Sequence, residues 1–236
     1  MTDRSDNARA VSSKHMADIR REWDRIAKLR FDQIVHGRDL SYSSVLEPTV
    51  LELIGKCDRS SVLDVGCGVG ILTARLAEVS GDVIGIDISG ESIALAEQHQ
   101  TRKNLHFVTT SVETFARDSR ARFTVVVANM TLMTMLDLPA AIDAISRLLT
   151  DRGRLILTIT HPCFWPAYWH YDNEEWFDYS KEIVIEAPFR ISADGLSKFT
   201  TTHVHRPLEQ YFASSRLKEA KDTSPHSGLS AARFSH

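Results

Sequence analysis

Short apolar runs and helix-like segments alternate along the middle of the chain. The runs are nearly continuous in apolar residues, which is typical of parallel strands that are buried on both faces. Between them, apolar residues recur every three or four positions, the spacing of one helix face. The predicted strands are 61–65, 82–88, 105–108, 123–128 and 154–159, and the predicted helices are 71–79, 91–98 and 139–149. The pattern predicts an α/β fold, with a doubly wound, mostly parallel, Rossmann-like sheet and helices on both faces.

The N-terminal part is polar at first and amphipathic afterwards. Residues 1–12 are predicted to be a disordered tail, and residues 13–56 an N-terminal helical cap. Within the cap, several residues recur at the spacing of one helix face. The members of this stripe are Met16, Ile19, Trp23, Ile26 and Arg30. The stripe either packs on the main domain or forms a lid over a ligand, since a terminal helix can open without unfolding the core.

An aromatic loop follows the last predicted strand. Segment 161–171 holds five aromatic residues and two histidines, and it opens a predicted substrate-side insertion over 160–205. The aromatic side chains either line an acceptor pocket or cover exposed core. Strand-like runs at 182–185 and 199–205 and a helix from 206 to about 212 complete a main domain predicted to span 57–212.

Composition is that of a globular protein, and the charge argues against a nucleic-acid-binding one. Hydrophobic residues make up 43% and charged residues 25%, as in globular proteins, and the formal net charge of −3 provides no basic field for nucleic acid. The three cysteines, Cys57, Cys67 and Cys163, have the spacing of neither a zinc site nor a disulfide framework. The polar N-terminus is no signal peptide, and no apolar stretch is long enough to span a bilayer, so no membrane partner and a cytoplasmic location are expected.

A glycine-rich turn is the most specific feature. Strand 61–65 runs into Gly66, Gly68 and Gly70, and a helix follows at once. Glycines at such a turn let the backbone approach a ligand closely. A dinucleotide fingerprint needs glycine or alanine three residues after Gly68, where Ile71 stands, and this disfavours a nicotinamide-dependent oxidoreductase.

Two acidic residues accompany the turn. Asp64 lies two residues before the first glycine, and Asp87 ends the second predicted strand. A carboxylate at the end of that strand can accept hydrogen bonds from both hydroxyls of a ribose. The two strand ends are therefore expected to meet at a nucleotide-binding crevice.

Four motifs together resemble the class I S-adenosylmethionine-dependent methyltransferases. They are LDVGCGVG (63–70), IGIDIS (84–89), SVE (111–113) and VVVANMTLM (125–133). The resemblance covers roughly residues 40–212 and implies S-adenosyl-L-methionine as the cofactor. It assigns cofactor binding to Asp64, Gly66, Cys67, Gly68, Gly70, Asp87, Ile88, Ser111, Val112, Asn129 and Met130.

The resemblance also assigns roles to these positions. The glycine loop passes under the methionine part of the cofactor, and Asp64 orients the loop. Asp87 binds the ribose, with Ile88 against the adenine. Asn129 and Met130 mark the place where the sulfonium and the methyl acceptor meet.

The chain departs from the family pattern in two respects. Ser111 stands where many relatives have an aspartate for the adenine amino group, which predicts weaker adenine binding. The family pattern continues after residue 212 with a helix and an apolar hairpin, whereas 213–236 is an atypical polar tail that cannot supply two buried strands. Incomplete C-terminal strands, as from a truncated or frame-shifted end, would leave a sheet edge open for a second copy of the chain, a homo-oligomer.

The sequence suggests candidate bases and leaves the acceptor open. His161 directly follows the fifth predicted strand, and His203 and His205 share one face of a later strand. Each is either a general base or a hydrogen-bonded packing residue. No third ligand accompanies the pair, so no metal site is predicted. The expected function is methyl transfer to a small-molecule acceptor through O, N or C, and the alternatives are a catalytically inactive or binding-only relative and the oxidoreductase.

Overall fold

The protein is described by a computed structural model for residues 8–191 and 195–219. The strands are β1 (Arg9–Ala10), β2 (Ser61–Val65), β3 (Asp82–Asp87), β4 (Leu105–Thr109), β5 (Phe123–Asn129), β6 (Leu149–Thr158), β7 (Ile183–Ile191) and β8 (Gly195–His205). The α-helices are α1 (Met16–Val35), α2 (Glu47–Ile54), α3 (Ile71–Val79), α4 (Gly90–His99), α5 (Val112–Asp118), α6 (Leu138–Leu148), α7 (Trp165–Trp169) and α8 (Leu208–Glu219). A π-helical turn at Tyr42–Leu46 precedes α2, and a 3-10 turn at Leu132–Thr134 precedes α6.

Five parallel strands form the central sheet, in the order β4-β3-β2-β5-β6. Successive residues of β2 point to opposite faces, as the period of a strand requires. Val62 belongs to a core cluster with residues of α2 and α3, whereas Leu63 belongs to a cluster with residues of α5 and α6. Both side chains are fully buried, and burial of each contributes about 1.5–3 kcal/mol. The predicted doubly wound fold is confirmed.

The order of the strands reverses between β2 and β5, because β3 and β5 flank β2 on opposite sides. In open α/β sheets, ligands bind at the carboxyl ends of the strands beside such a reversal. The residues that follow β2, β3 and β5 therefore meet at one crevice.

A second, antiparallel sheet has the order β1-β7-β8 and carries a small core of its own. The predicted disordered tail is wrong for its last part, because Arg9 and Ala10 form a strand that pairs with Glu186 and Ile185. Main-chain hydrogen bonds to β7 order this segment although its side chains are exposed.

The C-terminal part differs from the prediction in extent. Helix α8 begins at Leu208 and continues to Glu219, beyond the predicted helix end near 212 and into the predicted polar tail, and 220–236 lies outside the described residues. Strand β6 begins at Leu149, before the predicted start at 154. Among 8–191 and 195–219, no strand pairs with the outer edge of β6, and the end of the predicted incomplete C-terminal segment, 220–236, lies outside the described residues.

Helix α1 lies against α4, beside the ligand crevice. Asp24 of α1 accepts a hydrogen bond of 2.7 Å from the hydroxyl of Ser89, the residue that caps the N-terminus of α4. Farther along α1, the rings of Phe31 and His99 stack with their centroids 4.4 Å apart. These contacts hold the cap on the main domain.

Candidate active site

A cavity of about 190 Å³ lies at the carboxyl ends of the parallel strands. The loops after β2, β3, β4 and β5 form its floor. Of the residues predicted to bind a cofactor, all except Gly70 line it: Asp64, Gly66, Cys67, Gly68, Asp87, Ile88, Ser111, Val112, Asn129 and Met130. Helix α1 forms one wall with Met16, Ile19, Trp23, Ala27 and Arg30. The amphipathic stripe therefore both packs on the domain and closes the cavity.

The glycine loop needs glycine for two different reasons. Gly66 has a φ of 69°, and a Cβ there would lie 2.3 Å from Cγ2 of Thr131. Gly68 has a φ of 53°, and a Cβ there would meet no protein atom within 4 Å. Because Gly68 lines the cavity, that free space is open to it. Gly70 lies outside the cavity and begins α3, with a φ of 76°.

Asp87 joins two of the cavity's loops. One of its carboxylate oxygens accepts from the main-chain N–H of Gly68 at 2.9 Å, and the other from the N–H of Ser89 at 2.8 Å. Each oxygen keeps lone pairs for a ligand hydroxyl. Burial raises the pKa of the carboxyl, and the two N–H groups oppose that rise.

Asp64 and Cys67 are the buried titratable groups of the floor. Asp64 is 1% exposed and accepts a 2.7 Å hydrogen bond from the hydroxyl of Thr73 in α3. Burial raises its pKa to about 7, against the effect of that hydrogen bond. Burial also raises the pKa of the Cys67 thiol well above its usual value, so this cysteine is a poor nucleophile.

Ser111 has a structural task in addition to its place in the cavity. Its hydroxyl caps α5 by accepting from the main-chain N–H of Thr114 at 3.2 Å. The same oxygen lies 3.3 Å from the hydroxyl of Thr114. The predicted acceptor for an adenine amino group is thus shared with the helix terminus.

Asn129 and Met130 end β5 in a constrained arrangement. The hydroxyl of Thr158, the register partner of Asn129 in β6, donates to Oδ1 of Asn129 at 2.7 Å. The same hydroxyl accepts from the main-chain N–H of Met130 at 2.9 Å. Met130 has a φ of 55°, which is rare for a residue with a side chain and typical of functional sites.

The three candidate histidines lie elsewhere. None of them lines the large cavity. Nδ1 of His161 accepts from the main-chain N–H of Cys163, and its ring lies 4.6 Å from that of Phe164. His203 contacts the hydroxyl of Tyr171 at 3.3 Å, and burial lowers its pKa to about 4. His205 bonds the main-chain oxygen of Tyr179.

The aromatic loop covers the second sheet. Trp169 and Tyr171 belong to the core cluster of that sheet, and Trp165 packs against it. Arg190 of β7 lies over the rings of Tyr168 and Trp169, 4.5 and 4.6 Å from their centroids. None of the five aromatic residues of 161–171 lines the large cavity, and Trp165, Trp169 and Tyr171 pack on the second sheet. The remaining two, Phe164 and Tyr168, are exposed.

Sequence reasoning missed several residues of the site. Tyr42, Thr131, Thr134 and Met135 line the cavity, and no local pattern marks them. Arg206 also escaped notice: its side chain is fully buried and donates to main-chain oxygens of the loop after β5. Its only sequence signal is an arginine directly after a threonine- and histidine-containing strand.

The described residues hold neither a group of metal-ligating side chains nor a membrane-spanning helix. In the described part of the chain, no group of three or more histidine, cysteine or acidic side chains could hold a metal ion. None of the helices that the structure describes is both long and apolar enough to cross a bilayer.

Comparison with known proteins now identifies the family. Residues 57–209 match the family described as "Methyltransferase domain", more than half of the chain. The chain belongs to this family. Family membership confirms the predicted class of protein, a methyltransferase.

Solved methyltransferase structures share the fold. An S-adenosylmethionine-dependent methyltransferase from Clostridium acetobutylicum is 16% identical with a TM-score of 0.56, covering 78% of this chain and 87% of that one. The structure titled "DhpI-SAM-HEP complex" is also 16% identical with a TM-score of 0.60, covering 89% of this chain and 91% of that one. At these identities the likeness establishes the fold alone.

Curated relatives match over a shorter stretch. The ubiquinone biosynthesis O-methyltransferase of Leptothrix cholodnii is 32% identical over 112 residues, 45% of this chain and 47% of the relative. The chain spans between 28% and 47% of the length of the first three curated relatives that it matches.

The residues present fit S-adenosyl-L-methionine. The space beside Gly68 accepts a ligand at main-chain distance, and Asp87 offers acceptors for the hydroxyls of a ribose. Apolar residues of the lining can contact a base and a thioether chain, among them Ile88, which follows β3, and Val112, which begins α5. The predicted binding roles of the individual residues stay predictions.

Proposed function

We propose that the protein transfers a methyl group from S-adenosyl-L-methionine to a small-molecule acceptor. The observation that carries the proposal is the hydrogen bond between the N–H of Gly68 and the carboxylate of Asp87. It joins the open turn of the glycine loop to the acidic end of the neighbouring strand at one cavity. This arrangement offers main-chain groups to one part of a nucleoside ligand and a carboxylate to its ribose.

The residues of the chain align the acceptor with the methyl donor and exclude water from the cavity. When bound, S-adenosyl-L-methionine supplies an electrophilic methyl group on a positively charged sulfonium. The residues of α1 that line the cavity, such as Ile19 and Trp23, exclude water from it. Asn129 and Met130 border the same space at the end of β5, where they can orient an acceptor.

A small acceptor suits both the geometry and the relatives. The cavity is walled by α1, and the net charge of −3 offers no attraction for nucleic acid. The curated relatives are named as O-methyltransferases of ubiquinone biosynthesis, which supports a small-molecule acceptor. A cytoplasmic location and a homo-oligomer stay predictions.

A role for His161 or His203 as general base also stays a prediction, which the geometry does not favour. Neither residue lines the cavity, and the low pKa of His203 makes it a weak base. The oxidoreductase alternative is disfavoured by family membership and by Ile71 at the third position of the dinucleotide fingerprint.

Calorimetric titration with S-adenosylhomocysteine tests the cofactor site. We expect micromolar binding by the parent and at least a tenfold loss in Asp87→Ala. Asp82→Asn is the matched control, because this exposed aspartate begins the same strand and lies outside the cavity. Circular dichroism checks that each variant is folded.

Each outcome has a defined meaning. Equal binding by the parent and Asp87→Ala would contradict the assigned site, and no binding by the folded parent would contradict the proposed function. Binding without turnover on any acceptor would identify the binding-only relative.

A further inference from the structure

We propose that the methyl acceptor is an oxygen that is ionised near neutral pH, such as a carboxylate or an acidic phenol, and that the side-chain amide of Asn129 holds it. The inference rests on the proposed function and deepens it by naming the acceptor class. The Asn129 amide offers a hydrogen-bond donor at this point of the cavity, and no acidic side chain among the described lining residues is placed to take a proton there.

The orientation of the Asn129 amide follows from Thr158. The N–H of Met130 is shared between the Thr158 hydroxyl at 2.9 Å and the Thr158 main-chain oxygen at 3.0 Å, and the hydroxyl has a single hydrogen to donate. The Asn129 amide lies 2.7 Å from that hydroxyl, and the arrangement in which the hydroxyl donates to Oδ1 uses this hydrogen. The reverse orientation would place the Nδ2 donor against the hydroxyl and leave the hydroxyl hydrogen unused in this pair.

The Nδ2 group of Asn129 therefore remains for a ligand. In the described part of the chain no group accepts a hydrogen bond from it, and Asn129 is half-buried and lines the cavity. An amide N–H group donates well to an oxygen lone pair, and better to a negative oxygen. It offers nothing to an amine that needs to lose a proton.

The acidic residues that line the cavity are unsuited to deprotonate a group at Asn129. Glu113 follows β4, which is separated from β5 by three strand spacings, about 14 Å. Asp87 is committed to the N–H groups of Gly68 and Ser89. Asp64 is 1% exposed and is bonded by Thr73.

The other charged side chains of the cavity do not change this conclusion. No histidine or lysine is among the described residues that line it. Of the described lining residues, only Arg30 is a cation, and it forms an ion pair of 2.9 Å with Asp39. An acceptor that arrives already ionised needs no base, and its charge is attracted by a sulfonium.

The transfer balances in charge and electrons. A lone pair of the ionised oxygen forms the new O–CH3 bond while the C–S bond breaks and its electron pair stays on sulfur. The anion and the sulfonium become a neutral ether or ester and a neutral thioether, and no proton has to leave. The Asn129 amide binds one oxygen lone pair and leaves another for the attack.

Paired probes test the acceptor class. The folded parent is saturated with S-adenosyl-L-methionine and given 4-nitrophenol, phenol or 4-nitroaniline, and methylated product and S-adenosylhomocysteine are measured by mass spectrometry. We expect methylation of 4-nitrophenol, background rates with 4-nitroaniline, and a kcat/KM for each phenol that rises with pH up to the pKa of that phenol.

Variants test the role of Asn129. Asn129→Asp keeps the acceptor for Thr158 but replaces the donor by a negative oxygen, so we expect kcat/KM for 4-nitrophenol, measured at saturating S-adenosyl-L-methionine, to fall at least tenfold. Asn173→Asp makes the same chemical change at an exposed position and serves as control. Thr158→Val should lower kcat/KM by releasing the amide, and Thr158→Ser should restore most of it.

The test separates a wrong acceptor class from a wrong proposed function. Methylation of 4-nitroaniline as fast as of 4-nitrophenol, or an unaffected Asn129→Asp, overturns the acceptor class. So does the absence of methylation of every probe when S-adenosylhomocysteine still binds. Loss of that binding in the folded parent overturns the proposed function itself.

Discussion

The guanidinium of Arg206 donates to the main-chain oxygen of Met135 at 2.8 Å. The same nitrogen donates to the oxygen of Leu136 at 3.0 Å, while Nε bonds the carboxylate of Glu182 at 2.5 Å. The arginine side chain is fully buried, whereas that of Glu182 is 45% exposed. A residue at the end of the second sheet thus supports the loop that follows β5 and borders the cavity.

Arg206→Met should lower the free energy of unfolding by about 2–4 kcal/mol, because it leaves buried carbonyl oxygens without donors. Arg206→Lys keeps the charge but loses the fork that reaches two carbonyls and Glu182, so an intermediate loss is expected. Urea denaturation measures both. Glu182→Gln is the matched control, and a loss below about 1 kcal/mol is expected because that carboxylate is half-exposed. If Glu182→Gln lost as much stability as Arg206→Met, the main contribution of Arg206 to the free energy of unfolding would come from its ion pair with Glu182 and not from its hydrogen bonds to the loop after β5.

Gly68→Ala should separate a ligand effect from backbone strain. Gly68 and Gly37 have φ values of 53° and 64°, and a Cβ at either position meets no protein atom within 4 Å. Both substitutions therefore cost about 1–2 kcal/mol of backbone strain. Only Gly68 lines the cavity. We expect similar losses of stability, and at least a tenfold weaker binding of S-adenosylhomocysteine in Gly68→Ala alone, measured by calorimetry. Equal affinity in both variants would place the ligand away from the glycine loop.

Asp64 should make the protein less stable as pH rises from about 4 to 7. Burial raises its pKa in the folded state to about 7, above the value of 3.8 that serves as reference for the unfolded chain. Between these values the folded state binds more protons than the unfolded state, so the free energy of unfolding falls with rising pH. The contribution is fully present below pH 4 and is lost as pH passes through 7.

Asp64→Asn should remove this pH dependence and keep an acceptor for Thr73. Urea denaturation at pH 5 and pH 8 measures the effect, and the difference between the two pH values should shrink in the variant. Asp82→Asn, at the exposed start of β3, controls for the loss of a carboxylate. An unchanged difference in Asp64→Asn would argue that Asp64 is ionised throughout this range.

The strand pattern and the glycine loop were readable from the sequence. Continuous apolar runs predict buried parallel strands, and Gly66 and Gly68 mark a turn that side chains would obstruct. Asp87 could be placed because it ends a strand, and the carboxyl ends of parallel strands share one edge. These inferences depend on periodicity and on neighbours along the chain.

The long-range contacts of the cap and of the last segments were not readable. Asp24 bonds Ser89 and Arg206 bonds Met135 across 65 and 71 positions of sequence. The strand at Arg9 depends on a partner more than 170 residues away. In each case the pattern of the local sequence does not reveal the partner, because that partner is supplied only by the packing of distant elements.

The sequence by itself determined the α/β architecture, the nucleotide-binding turn and the acidic residue beside it, because each follows from local periodicity and backbone conformation. Only the tertiary structure decided that His161 and His203 lie outside the large cavity and that α1 closes it. It also decided that the Asn129 amide points its oxygen to Thr158. The physical reason is that a side chain's hydrogen-bond partners and surroundings are set by the register and packing of elements far apart in the chain.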